Sequence, residues 1–229
     1  LHAFDADTGV ERWAYVPKLL FPTLYRLADK FYATKHQFYV DGSPTVGDVY
    51  FGGAWHTILV GGFNAGGRGY YALDVTDPAN PTALWEFTDA NMGSSYGRPE
   101  ITKLADGTWV VLVTSGYNNV NPGNGQGYLY AIDAGTGAAI HTIGAGVGSD
   151  TAAITGVCAA APCPSGLAQI RAYVDNARYD NRTTKVYGSD LYGNVWRFDV
   201  NDTFGASGRE AQLLASLRGP GGNVQSLMT

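Results

Sequence analysis

The chain has 229 residues, a formal net charge of −5, 31 glycines, 15 tyrosines and only 15 % charged residues. An acidic chain without a Lys/Arg cluster offers no face that neutralises phosphates, which excludes nucleic acid as an expected partner. No apolar run reaches the roughly 18 residues of a spanning helix, and the glycine and tyrosine content suits many short strands joined by tight turns.

In chain order, Leu1 to Tyr15 reads as a hairpin: a strand, the turn Asp5-Ala-Asp-Thr-Gly9, and a strand Glu11–Tyr15 whose aromatics alternate with polar residues. From Pro17 to about Lys30 the period changes. Leu20, Leu24, Leu27 and Phe31 fall on one helical face and Pro22 suits a first turn, so one short helix is expected between β-units. Glycine and proline turns then separate the strands Val49–Phe51, His56–Val60, Tyr70–Asp74 and Ala83–Phe87, which make one antiparallel four-stranded unit. A second unit follows in Arg98–Leu104, Trp109–Thr114, Tyr128–Asp133 and Ala138–Ile143. The apolar run Trp109 to Val113 fits a strand covered on both faces. A third unit begins near Ile170–Val174 and contains the hairpin Val186 to Val200, which turns at Asp190 and Gly193-Asn194.

One ending recurs. Leu1-His-Ala-Phe-Asp5, Tyr71-Ala-Leu-Asp74, Tyr130-Ala-Ile-Asp133 and Val195-Trp-Arg-Phe-Asp199 each close on an aspartate, at intervals of roughly 60 to 70 residues. That spacing marks a repeated β-unit and an all-β fold: a modified β-propeller of four-stranded antiparallel blades with one inserted helix. About three blades fall short of a closed ring. Leu1 lies inside an expected strand and Leu213–Leu217 runs into Gly219-Pro-Gly-Gly222 without a natural finish. Residues 1–229 are therefore expected to be part of a single domain cut at both ends.

Few motifs point to chemistry. Gly61 to Gly69 lacks the Gly-Lys-Ser/Thr ending of a phosphate loop and precedes a strand, so it reads as a hairpin loop. Gly93-Ser-Ser-Tyr-Gly97 matches G-x-S-x-G, but Pro99 and the strand after it replace the helix that a nucleophile elbow needs. His2, His36, His56 and His141 show no metal spacing. Cys158 and Cys163 are either a structural disulfide of an oxidising compartment or two inert thiols. In the loop Asp175 to Thr184, the oxygens of Asn176, Asp180 and Thr184 have roughly the spacing of a calcium loop, with Arg178 where a ligand should stand; the other reading is an Asx-type turn. Most of Trp13, Trp55, Trp85, Trp109 and Trp196 read as packing between units, with Trp55 or the loop Tyr117-Asn-Asn119 as a candidate binding surface.

Taken together, Phe4 to Pro17, Val40-Asp-Gly-Ser-Pro-Thr-Val-Gly-Asp-Val49, Ser95-Tyr-Gly-Arg-Pro-Glu100, Gly127 to Asp133 and Gly188-Ser-Asp-Leu-Tyr-Gly-Asn-Val-Trp-Arg-Phe-Asp199 resemble the C-terminal β-propeller of the PilY/PilC family of type IV pilus biogenesis proteins, over nearly the whole chain. The resemblance implies a noncatalytic assembly and adhesion module that opposes pilus retraction. Its implied partners are pilin or minor pilins and a host or abiotic surface. It also implies export through the periplasm of a Gram-negative bacterium to the cell surface, outer membrane or pilus tip. The family's calcium loop, carried over, falls on Asn176 to Thr184; Arg178 departs from its pattern and Thr184 replaces an expected Asp.

Two other functions compete. Asp5-Ala-Asp-Thr-Gly9 followed by Glu11 and Trp13 resembles the repeat of quinoprotein dehydrogenases that bind pyrroloquinoline quinone, an enzyme that needs a calcium site and a catalytic aspartate converging on the propeller axis. The chain shows no such set. A scaffold of outer-membrane protein assembly is the third reading.

Overall fold

The structure, a computed structural model, describes residues 1–148, 158, 161–203 and 210–226. Three antiparallel sheets follow one another, each a four-stranded meander. The first comprises β3 (Thr45–Phe51), β4 (Ala54–Gly62), β5 (Tyr70–Asp74) and β6 (Thr82–Phe87). The second comprises β7 (Glu100–Lys103), β8 (Trp109–Thr114), β9 (Gln126–Asp133) and β10 (Ala139–Gly148). The third comprises β11 (Ile170–Val174), β12 (Thr183–Ser189), β13 (Asn194–Phe198) and β14 (Ala211–Ser216). Ahead of them, β1 (His2–Phe4) and β2 (Glu11–Ala14) pair as a two-stranded ribbon that repeats the last two strands of a blade. Among the described residues no helix is long and apolar enough to cross a membrane.

The repeated aspartate ends the third strand of every blade, and its chemistry explains the repeat. Asp5, Asp74, Asp133 and Asp199 each accept, through Oδ1, the backbone N–H two residues on, at 3.2, 2.9, 3.1 and 3.0 Å. This Asx turn mimics a backbone turn and starts the chain back toward the fourth strand. Thr8 and Thr136 add both their N–H and their hydroxyl to the same oxygen of Asp5 and Asp133. The Arg12 guanidinium, with Thr8, holds the Asp5 carboxyl far below its usual 3.8, at about 2.

A second repeat joins neighbouring blades. Trp13 sits opposite Ala3, Trp85 opposite Ala72 and His141 opposite Ala131, the same register in three blades. The small partner leaves room for the ring. The indole N–H of Trp13 donates to Pro78 O and that of Trp85 to Ala134 O, both at 2.9 Å, so each ring reaches the third-to-fourth strand turn of the next blade. Gly137 must stay bare there: at φ +74° a Cβ would lie 2.6 Å from Trp85.

The apolar run of β8 is covered on both faces, as its sequence predicts. Val111 and Val113 join Ile58, Val60 and Trp85 in a core with the first blade, whereas Val110 and Leu112 join Val186, Trp196 and Phe198 in a core with the third. On β9, Tyr130 and Ile132 face the first blade and Leu129 and Ala131 the third. Each large side chain so buried contributes about 1.5–3 kcal/mol.

The inserted helix differs from expectation. Lys18–Ala28 forms a 3-10 helix, followed by a further 3-10 turn over Tyr32–Thr34. Pro22 has no N–H to give an α-type bond, and Leu20 N instead donates to Pro17 O three residues back, at 3.1 Å. With three residues per turn the expected stripe falls apart. Pro17 and Leu20 turn inward, while Leu27 and Phe31 stay exposed. Glu86 pins the start of the segment, accepting from the N–H groups of Lys18 and Leu19 and from the Tyr15 hydroxyl.

Adjacent tyrosines on β5 meet opposite hydrogen-bonding fates. Tyr70, fully buried, shares its hydroxyl proton between Gly97 O and Thr114 O at 3.1 and 3.2 Å, tying the first blade to the end of β8. Tyr71, packed against Gly61, Phe63 and Tyr15, has a buried hydroxyl without a partner among the described residues, and burial pushes its pKa up to about 12. Tyr70→Phe is therefore expected to lower stability by about 1–2 kcal/mol and Tyr71→Phe to be neutral or stabilising, as read by denaturant unfolding.

Candidate functional site

The first strands of the three blades lie side by side, with β3 against β7 and β7 against β11. Between them runs a polar cleft of about 230 Å³ lined by Thr45, Asp48, Arg98, Glu100, Trp109 and Arg171, with Asn181 at its end. A shallower groove of about 550 Å³ continues past Arg98 and Arg171 to Tyr187 on β12. Strand alternation sends Asp48 and Tyr50 outward from β3 while Val49 goes to the core.

The cleft holds two acidic and two basic side chains. Arg171 pairs with Glu100 at 2.6 Å, Arg98 Nε donates to Thr45 Oγ1 at 3.3 Å, and Asp48 Oδ1 accepts from Thr57 Oγ1 at 2.7 Å. Aromatic rings form a row at the mouth. Tyr50 and Trp55 meet edge to face at 5.6 Å, and Trp55 and Trp109 at 5.8 Å. Trp55 is 61 % exposed, unlike Trp85 and Trp196, which are buried. Lys103 stands over the Trp109 ring at 5.6 Å.

The turn between β11 and β12 holds Asn176 and Asp180, and Thr184 lies beyond it in β12. Asp180 Oδ1 lies 3.0 Å from Lys103 Nζ on β7, and Asp180 Oδ2 lies 3.0 Å from Arg182. Hydrogen bonding from Lys103, then the charge of Arg182, holds the Asp180 carboxyl below its usual range. The Asn176 carbonyl accepts from Tyr179 N and Asp180 N, and Thr184 Oγ1 donates to Tyr173 O at 3.4 Å. Two cations occupy the carboxylate that a calcium ion would need, so the arrangement does not fit a hard cation with six or more oxygen ligands. The loop instead forms an ion pair that crosses from the third blade to the second.

Other residues singled out by sequence have internal partners. Ser95 is fully buried and its Oγ accepts from Phe63 N at 2.9 Å. Asn119 is also buried and donates through Nδ2 to Asn91 O and Gln126 O, so this part of the Tyr117 to Asn119 loop braces the interior. Cys158 and Cys163 are joined, with their Cα atoms 5.8 Å apart. Asp5 and Thr8, in the quinoprotein-like repeat, make the Asx turn of their own hairpin.

A family model described as the PilY1 beta-propeller domain matches residues 1–213. The chain belongs to the PilY1 β-propeller family. The type IV pilus biogenesis factor PilY1 of Pseudomonas aeruginosa (strain PAO1) is 41 % identical over 204 residues, a stretch that covers 87 % of this chain and 16 % of that protein. A PilY1 homolog of Xylella fastidiosa (strain Temecula1) is 40 % identical over 207 residues, covering 88 % of this chain and 13 % of that protein. The crystal structure of the Pseudomonas aeruginosa PilY1 C-terminal domain superposes with a TM-score of 0.70 at 33 % identity, over 98 % of this chain and 45 % of that one. The chain thus spans about a sixth of the length of its curated PilY1 relatives or less.

Sequence reasoning missed Asp190 as more than a turn residue. Its carboxylate is fully buried and accepts four bonds, from the N–H groups of Tyr192 and Asn194, the Asn194 amide and the Trp196 indole, at 2.8 to 3.0 Å. The signal was available in an aspartate four residues before β13, with Asn194 and Trp196, two side-chain donors, following it. The cleft itself had no local signal, because its residues come from three blades. For the β11–β12 turn, calorimetric titration with calcium is expected to give no saturable heat in the micromolar range, in the native protein and in Asp180→Asn alike. Micromolar binding lost in Asp180→Asn would show that the loop rearranges to coordinate.

Proposed function

We propose that the chain is a noncatalytic assembly and adhesion module of a type IV pilus biogenesis protein. It opposes pilus retraction and presents its loops to pilin or minor pilins and to a host or abiotic surface. It works at the outer membrane, cell surface or pilus tip of a Gram-negative bacterium, after export through the periplasm. The observation that carries this reading is the 41 % identity, over 87 % of the chain, to a protein named as a type IV pilus biogenesis factor.

The architecture supports it. Sheets whose inner blade is covered on both faces make a rigid frame, and loops on a rigid frame are a common arrangement for binding. A bridge between Cys158 and Cys163 suits an oxidising compartment such as the periplasm.

In the source bacterium, in-frame removal of this segment is expected to abolish surface pili. Disabling the retraction motor in the same cells is expected to restore them. Unchanged pili after removal, or no restoration without retraction, would contradict the proposal.

A further inference from the structure

We infer that the central cleft and its aromatic row form a binding site for a neutral, polyhydroxylated chain, an oligosaccharide of hexose type. The inference rests on the reading of the chain as a surface-binding module and names the ligand class of that module's cleft.

Charge balance argues first. Asp48, Glu100, Arg98 and Arg171 line one cleft, so their four formal charges cancel. A phosphate or a polyanion would meet two carboxylates, and a cation would meet two guanidinium groups. A neutral ligand whose groups both donate and accept meets no such opposition. Sugar hydroxyls do both.

Unused hydrogen-bonding capacity argues next. Among the described residues the terminal amino groups of Arg98, Asp48 Oδ2 and the indole N–H groups of Trp55 and Trp109 have no hydrogen-bond partner, whereas the indoles of Trp13, Trp85 and Trp196 are all bonded. The two unbonded indoles stand at or beside the cleft, with donors and acceptors interleaved along it.

Shape argues last. Tyr50 and Trp109 each meet Trp55 edge to face, with centroids 5.6 and 5.8 Å away, so the three rings brace one another and Trp55 offers the open stacking face. The face of an indole suits the C–H face of a sugar ring, and Trp55 presents 61 % of its surface to solvent. A cleft of about 230 Å³ has room for one ring, with the rest of the chain lying along the row and the groove beyond Arg171.

The test is calorimetry and saturation-transfer NMR on the purified protein with three neutral probes: the hexasaccharides of cellulose, of amylose and of chitin. At least one is expected to bind saturably, with aromatic protons of the protein perturbed. Trp55→Ala and Arg98→Gln, both at exposed side chains, are each expected to weaken that binding by about tenfold or more while leaving thermal unfolding unchanged. A heparin hexasaccharide, the anionic counterpart, is expected to bind no more tightly than the neutral probe. Absence of binding by all three probes, unchanged affinity in both variants, or preference for heparin would overturn the inference. Pilus counts on cells carrying Trp55→Ala separate this inference from the pilus role. Normal pili with lost sugar binding are expected, and loss of pili would show that the row contacts a pilus protein instead. If no sugar binds but removal of the segment abolishes pili, the cleft assignment alone fails.

Discussion

The middle blade has no solvent face of its own. Its second and third strands carry apolar side chains on both sides of the pleat, and such a sheet is stable in water only when both sides are covered. Val111, Val113 and Ile132 need the first blade; Val110, Leu112 and Leu129 need the third. The rest of the architecture follows from this double dependence. The Asx turns fix where each third strand ends, the alanines opposite Trp13 and Trp85 make space for a ring, and the ring carries the contact to the next turn.

Stacking the blades in this way also decides what the inner edges can do. Strands β3, β7 and β11 are brought together along a cleft lined by charges of both signs, although the chain as a whole is acidic. A face assembled from three separate segments gathers Asp48, Arg98, Glu100 and Arg171 along one cleft. The Lys103–Asp180 pair works in the same sense, fastening the β11–β12 turn to β7. An ion pair with that role leaves the turn little freedom to gather oxygens around a metal.

Much of the fold was legible because its signals are local. Alternation placed the strands, Asp-x-x-Thr-Gly placed the turns after Asp5 and Asp133, and a run of five apolar residues marked β8 as covered on both faces. The inserted segment misled because Leu20, Leu24, Leu27 and Phe31 fit a period of 3.6, while Pro17 and Pro22 impose a tighter helix in which they no longer share a face. The candidate site was hardly legible. Asn176, Asp180 and Thr184 look like a ligand set until Lys103, 77 positions before Asp180, is placed beside it. Trp55 was singled out in sequence as a candidate surface residue and is exposed, whereas its meeting with Trp109 beside a cleft depends on β4 lying next to β8 and had no local signal.

The central claim is that the blades are stabilised as one body through the two faces of the second. Its most direct test is native-state hydrogen exchange on Ile132→Ala, which removes a contact with the first blade, and Leu112→Ala, which removes one with the third. Each should cost about 2–5 kcal/mol. The account predicts that either substitution speeds exchange together in β4, β8 and β12, because all three strands open in one cooperative step. Faster exchange confined to β4 and the second blade in Ile132→Ala, and to β12 and the second blade in Leu112→Ala, would show blades that open separately and would contradict it.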